Sequence, residues 1–242
     1  MPYSLRQKAR IYRRGQVEWA LWRFSTLDLP GGDEPLSAFR ARVKHLLQLD
    51  RSGALFASTE FCPPVAHALS WGQSLKTGID AYFTAFDAFC LAIALDLLRA
   101  GFKQSEVLLL IGHLRPRLGK PFADILENPP AFRSRLRLAN RPEPKDEGGD
   151  DRRVFLVIQR VECSEAFPAF TTTGKQNPGA IFREPLFCLG IQELGAELGK
   201  MDHLFRRAIV LEIAHMAARV AEFLDQAPYV RRGRPSSTFK RA

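Results

Sequence analysis

Residues 82–111 read YFTAFDAFCLAIALDLLRAGFKQSEVLLLI, and this stretch decides the fold. The long apolar run predicts a buried helix, Gly101-Phe102 predicts its end, and a second short helix is expected to begin near Gln104. Glycine readily adopts the left-handed backbone conformation that ends many helices, and the phenylalanine after it can pack back onto the helix. A compact helix–glycine–helix unit is a common way to build a DNA-reading domain.

The same stretch, with the residues just before it, carries the ordered series Gly78, Tyr82, Thr84, Asp87, Leu98-Arg99-Ala100-Gly101-Phe102, Glu106 and Val107. This series resembles the second half of the winged-helix DNA-binding domain of the MerR regulators. An extra residue, Phe83, separates the tyrosine from the threonine of the series. Lys103 stands where that family has an N-capping serine, and residues 37–72 do not show the family's first helix-turn-helix. Any two packed helices joined by Gly-Phe are the alternative interpretation.

The resemblance implies a DNA contact surface around this stretch. Lys76 and Tyr82 would lie on the wing, near phosphates. Arg40, Arg42 and Lys44 would be the best available groove or backbone contacts. Phosphate contacts supply affinity without sequence information, and the sequence does not identify the side chains that reach base edges.

The net charge of +9 is unevenly placed along the chain. Residues 1–51 hold ten bases and five acids, a net +5, and residues 101–145 hold nine and four, again +5. Residues 52–100 hold two bases and four acids (−2), and residues 146–230 hold nine and thirteen (−4). Such basic blocks indicate an anionic partner, of which nucleic acid is the commonest for a cytoplasmic protein. Solvated surface charge is the alternative.

Helical periodicity predicts further elements in the first 140 residues. Apolar residues spaced three and four apart predict a helix from Gln16 to Phe24. Ser37 is the expected N-cap of another helix that extends to about Asp50. The apolar stripe of this helix consists of Phe39, Val43, Leu46 and Leu47. Residues 1–140 are therefore expected to form a basic, mostly helical, winged-helix-like domain.

Residues 141–153, RPEPKDEGGDDRR, are nearly devoid of apolar side chains and predict an exposed linker. Beyond it, Val154–Val161 and Ala180–Leu189 are expected to be strands. Leu204–Leu224 is expected to be an amphipathic helix whose apolar face packs on its own domain or on a second copy. Its predicted buried residues are Phe205, Ile209, Ile213, Met216, Val220 and Phe223. Residues 154–228 would then form a smaller α+β domain for dimerisation or sensing.

Residues 229–242 form a basic tail with five bases among its last twelve residues and no acid. Within it, Arg232-Gly233-Arg234-Pro235 matches the core of an AT-hook, a short element that enters the minor groove of A·T-rich DNA. Arginines favour the negative potential of a narrow minor groove. A merely solubilising tail is the alternative.

Sequence patterns for catalysis or cofactor binding are not found. Four cysteines and five histidines show no metal-ligand spacing, and we find no phosphate-binding glycine loop, dinucleotide fingerprint or nucleophile elbow. No apolar run is long enough to span a bilayer, and no signal peptide is expected. We therefore expect a cytoplasmic, non-enzymatic protein without metal or cofactor. An enzyme whose active site is assembled from residues distant in the sequence is the alternative.

The sequence as a whole predicts a predominantly α fold with a smaller α+β C-terminal part. The leading hypothesis is a transcriptional regulator that binds double-stranded DNA as a homodimer. The alternative is an interaction or assembly protein whose basic surfaces bind RNA or an acidic protein partner.

Overall fold

A computed structural model describes residues 10–26, 34–52, 67–69, 82–128, 152–162, 170–172, 175–177, 180–201 and 207–228. The helices are α1 (Arg14–Ser25), α2 (Ser37–Arg51), α3 (Ala85–Arg99), α4 (Gln104–Glu127), α5 (Gly190–Leu198) and α6 (Ile213–Gln226). The strands are β1 (Tyr12–Arg13), β2 (Tyr82–Phe83), β3 (Val154–Glu162), β4 (Phe170–Thr172), β5 (Lys175–Asn177), β6 (Ala180–Phe182), β7 (Leu186–Leu189) and β8 (Arg207–Glu212). The described chain is mostly helical with a smaller β part, as predicted, and its main sheet is antiparallel.

The predicted helix–glycine–helix unit is confirmed as α3 and α4. Thr84 accepts a hydrogen bond from the Asp87 amide at 3.1 Å, and Asp87 accepts one from the Thr84 amide at 2.7 Å, so a reciprocal capping box begins α3. Gly101, with φ of +88°, ends it in the left-handed conformation. The Phe102 amide donates to the Leu97 carbonyl at 3.1 Å, and the Phe102 ring is buried.

Helix α4 is longer than the short helix that the sequence predicted, with 24 residues. It continues through Pro116 and Pro121, although each proline removes one helical N–H donor. Its N-cap is Lys103, whose amide donates to the Glu106 carboxylate at 2.9 Å. The helix therefore includes the basic residues Arg115, Arg117 and Lys120 and ends at Glu127.

One hydrophobic core joins the two predicted domains. Helix α6 packs against α1, α3 and α4, and on β3. Trp19 of α1 meets Phe223 of α6 edge-on, with ring centroids 6.4 Å apart. The described residues on the two sides of the predicted linker therefore share this core, and the apolar face of α6 is used within its own chain.

Strand β3 is the centre of the sheet. It pairs antiparallel with β8 on one side and with β7 and then β6 on the other. Leu156 and Ile158 face the main core, whereas Phe155 and Val157 form a second cluster with Cys188 and with Leu194 of α5. Alternate residues of β3 are therefore buried on opposite faces of the sheet. Strands β1 with β2 and β4 with β5 form two separate ribbons.

Three predictions about element boundaries are wrong. Arg207–Glu212 is a strand rather than the start of the C-terminal helix, because its branched residues pair along β3 and the helix begins only at Ile213. The expected strand Ala180–Leu189 is divided into β6 and β7. Ser37 is the first residue of α2, and Leu36 is its N-cap without a side-chain hydrogen bond.

No helix within the described ranges is both long and apolar enough to cross a bilayer.

Candidate nucleic-acid interface

Helix α2 is fixed in the fold by its apolar side, so its other side is presented to solvent. The predicted stripe of Phe39, Val43, Leu46 and Leu47 is buried, and Phe39 packs against Trp22 of α1 with ring centroids 5.4 Å apart. Asp50 is the one acidic residue of α2, and it is also buried.

Asp50 anchors the end of α2 to the rest of the core. Its carboxylate accepts hydrogen bonds from the amides of Ala68 and Leu69 at 2.7 and 3.2 Å. Burial raises the pKa of Asp50, and these two amide donors oppose that rise. Arg115 of α4 donates to the Ala68 carbonyl at 2.9 Å and forms a buried ion pair with Asp87 of α3. A buried polar network therefore holds α2, α3 and α4 in one arrangement.

The exposed face of α2 has a neutral centre with cations along both borders. At about 100° per residue, Ala41, His45 and Gln48 project from the middle of the exposed face. Arg40, Lys44 and Arg51 project along one border, and Arg42 projects along the other. All seven side chains are exposed. Arg40 has a carboxylate partner at 3.5 Å, the exposed Glu34.

Arg42 faces a cavity of about 580 Å³ where α3 ends and α4 begins. The described residues that line it are Arg42, Leu98, Arg99, Phe102, Lys103 and Gln104. Three of these six are cations and none is acidic. Arg99 pairs with Asp96 at 2.8 Å, and burial raises the pKa of that aspartate while Arg99 opposes the rise.

Tyr82 lies on a different surface element, the ribbon of β1 and β2. Strand pairing places it opposite Arg13, and places Phe83 opposite Tyr12. Phe83 and Tyr12 are buried, whereas Tyr82 is 46% exposed. The ribbon contacts α1 and α3. The predicted wing residue Lys76 and the tail residues Arg232, Gly233, Arg234 and Pro235 lie outside the described residues.

Several other cations are neutralised within the fold. Arg115 pairs with Asp87, Arg117 with Glu184, and Arg219 with Glu222. Arg10 pairs with Asp225 at 2.6 Å, and Tyr12 donates to the same carboxylate at 3.1 Å. Burial, together with Asp225, raises the pKa of Tyr12. The cations of α2 and of the cavity together form one basic surface of the described chain, in which Arg40 and Arg99 also have carboxylate partners.

The predicted trio of Arg40, Arg42 and Lys44 is thus exposed as expected but divided between two borders. Arg51, Arg99 and Lys103 belong to the same basic surface but were not predicted from the sequence. Helical periodicity could have added Arg51 to the border with Arg40. Arg99 and Lys103 are 57 and 61 positions from Arg42 in the chain, so only tertiary packing reveals their association.

No family model, curated protein or solved structure matches this chain. Among the described residues, no three His, Cys, Asp or Glu side chains are grouped so that they could hold a metal ion. Cys90 is fully buried, and burial raises the pKa of its thiol to about 12. The function is therefore inferred from the geometry of the basic surface alone.

Proposed function

We propose that the protein is a cytoplasmic transcriptional regulator that binds double-stranded DNA, with α2 lying in the major groove. The observation that supports this proposal is the pattern on the exposed face of α2. Its centre is neutral and polar, both borders are cationic, and its only acidic residue is turned into the core.

This pattern suits a helix between two phosphate backbones. The major groove of B-DNA is about 12 Å wide and admits one α-helix. A helix in the groove directs the centre of its exposed face at base edges and its borders at the backbones of the two strands. Arg40, Lys44 and Arg51 would contact one strand, and Arg42 would contact the other.

The centre of the face would read the sequence. Gln48 has an amide that can donate to and accept from adenine in the major groove, and this pairing is a common form of direct readout. His45, about one turn away, can donate or accept according to its tautomer. Ala41 leaves room for a thymine methyl group.

The ribbon and the tail would add contacts outside this groove. In a winged-helix-like arrangement of the kind that the MerR resemblance implies, Tyr82 would donate its hydroxyl to a phosphate near Arg13, and Lys76 would lie on the same wing. The tail Arg232-Gly233-Arg234-Pro235 would enter the minor groove of adjacent A·T-rich DNA.

We further propose that the protein binds as a homodimer, because a symmetric dimer doubles the contact surface and matches two half-sites. The dimer surface would be separate from the apolar face of α6, which packs on α1, α3 and α4 of its own chain.

The proposal is tested by neutralising one border of α2. We expect the triple variant Arg40→Ala, Lys44→Ala, Arg51→Ala to bind a labelled duplex at least 100-fold more weakly in fluorescence anisotropy. If three phosphate contacts are lost, the slope of log affinity against log salt should decrease by about 2.7.

The matched control removes three exposed cations from other parts of the surface. Lys120→Ala, Arg152→Ala, Lys200→Ala changes the net charge by the same amount, and we expect less than a threefold loss of affinity. Equal losses of duplex affinity in both variants would show that binding depends on net charge and not on the position of the cations, and this would contradict the proposal. Preference for single-stranded RNA, or no duplex binding at low salt, would overturn the proposal and favour the RNA or protein-assembly alternative.

A further inference from the structure

The cavity beside α2 is a feature of the fold separate from the centre of the exposed face of α2. It lies between Arg42 of α2, Arg99 at the end of α3, and Lys103 at the start of α4. The left-handed turn at Gly101 brings the last two together, because it lets α4 start immediately after α3 ends.

We infer that this cavity is a phosphate-binding site. Three cations line one concave surface whose described lining contains no carboxylate, and one of them, Arg99, pairs with Asp96 outside that lining. Like charges held together repel one another, and an anion placed between them relieves that repulsion. The charge of the cavity therefore selects an anionic ligand.

The side chains favour phosphate among the possible anions. A guanidinium presents a planar fork of donors that matches two oxygens of a phosphate, and a lysine ammonium adds a compact point charge. Two arginines and one lysine in one lining can therefore donate several hydrogen bonds to a phosphate group. Gln104 adds a neutral amide donor to the same lining.

The size of the cavity indicates that the phosphate belongs to a larger molecule. A volume of about 580 Å³ is within the range typical of ligand sites and far exceeds that of one phosphate ion. Leu98 and Phe102 add a small apolar area to a mostly polar lining.

The position of Arg42 indicates that the bound phosphate would belong to the DNA backbone. Arg42 is the single cation on its border of α2, whereas the other border has three. Arg99 and Lys103 extend the Arg42 border beyond α2, so a DNA strand that contacts Arg42 would continue over the cavity. This assignment to a backbone phosphate rests on the proposed function, whereas phosphate binding itself does not.

The test compares wild-type protein with the variant Arg99→Gln, Lys103→Gln, using pyrophosphate and a 20-base-pair duplex as separate probes. In amide NMR spectra, we expect pyrophosphate to shift the signals of residues 99–104 in the wild type and to leave them unshifted in the variant. We expect duplex affinity in the variant to fall at least tenfold, equally for A·T-rich and G·C-rich duplexes. The salt slope should decrease by about 1.8, as expected for two lost phosphate contacts.

The control variant Lys120→Gln, Arg152→Gln carries the same charge change, and we expect it to retain both responses. Unchanged pyrophosphate shifts and unchanged duplex affinity in the Arg99, Lys103 variant would overturn the inference. Loss of the pyrophosphate response alone would support a site for a free phosphorylated molecule rather than for the DNA backbone. Pyrophosphate binding by a wild type that binds no duplex would support the cavity and overturn the proposed function.

Discussion

At the scale of the residue, burial separates two arginines that are close neighbours in sequence. The side chains of Arg115 and Asp87 are each only 4% exposed, and Arg115 also donates to the Ala68 carbonyl. The side chain of Arg117 is 41% exposed, and its partner Glu184 is also in contact with solvent. The first pair is part of the network that fixes α2, and the second lies on the surface.

The variant Arg115→Met tests this difference. It leaves the Asp87 carboxylate buried without its cation, and we expect the free energy of unfolding to fall by about 3–5 kcal/mol. The matched variant Arg117→Met breaks a solvent-screened pair and should lower it by about 1 kcal/mol or less. Urea denaturation followed by circular dichroism measures both. Similar losses in the two variants would contradict the structural role given to the buried pair.

Residue identity alone could predict part of the basic surface. Arg40, Arg42 and Lys44 stand together in the sequence, so their exposure on a helix with an apolar stripe was foreseeable. Their division between two borders follows from the phase of the helix, which the buried residues set. The contributions of Arg99 and Lys103 could not be predicted, because they depend on how the start of α4 packs beside α2.

At the scale of the element, the turn between α3 and α4 determines the geometry of the cavity. Gly101 has a φ of +88°, a conformation that side-chain-bearing residues rarely adopt. Apart from Gly101 itself and its two chain neighbours, no described heavy atom lies within 4 Å of the position that a Cβ would take there. A substitution at Gly101 therefore changes backbone strain without creating a steric clash.

We expect Gly101→Ala to lower the free energy of unfolding by roughly 1–2 kcal/mol, because alanine pays for the left-handed conformation. Gly119→Ala is the matched control, since Gly119 lies inside α4 and an added Cβ meets no atom within 4 Å. Alanine there should raise stability by about 0.5–1 kcal/mol. Thermal unfolding measures both changes, and a stabilising Gly101→Ala would contradict the assigned turn.

Helices whose own residues indicate their start, their apolar face and their end were predictable from the sequence. Strand β8 was not, because its residues alone do not distinguish a helix from a strand. Gly101, Phe102 and the apolar run before them indicate the two helices through local chemistry. Arg207–Glu212, RAIVLE, is compatible with a helical face or with a strand, because short apolar runs lack a decisive period. Pairing with β3, about fifty residues away, selects the strand.

At the scale of the whole molecule, the C-terminal segment completes the fold of the N-terminal one. Composition indicated a boundary at residues 141–153, yet α6 inserts its apolar face among α1, α3 and α4. Amino-acid composition shows which segments of a chain are polar. It does not predict which segments far apart in the sequence pack into the same hydrophobic core. The resulting shared core, which is the larger of the two hydrophobic clusters, supports both the exposed face of α2 and the basic cavity.

Direct readout of duplex DNA by α2 in the major groove can be tested by selection from a pool of random duplexes, carried out with wild-type protein and with Gln48→Ala. We predict that the wild type enriches a defined sequence. In the variant, we predict that at least one position of this sequence becomes degenerate while the salt slope of binding stays unchanged. Enrichment of no sequence by the wild type, or of the same sequence with the same preference by both proteins, would contradict the account.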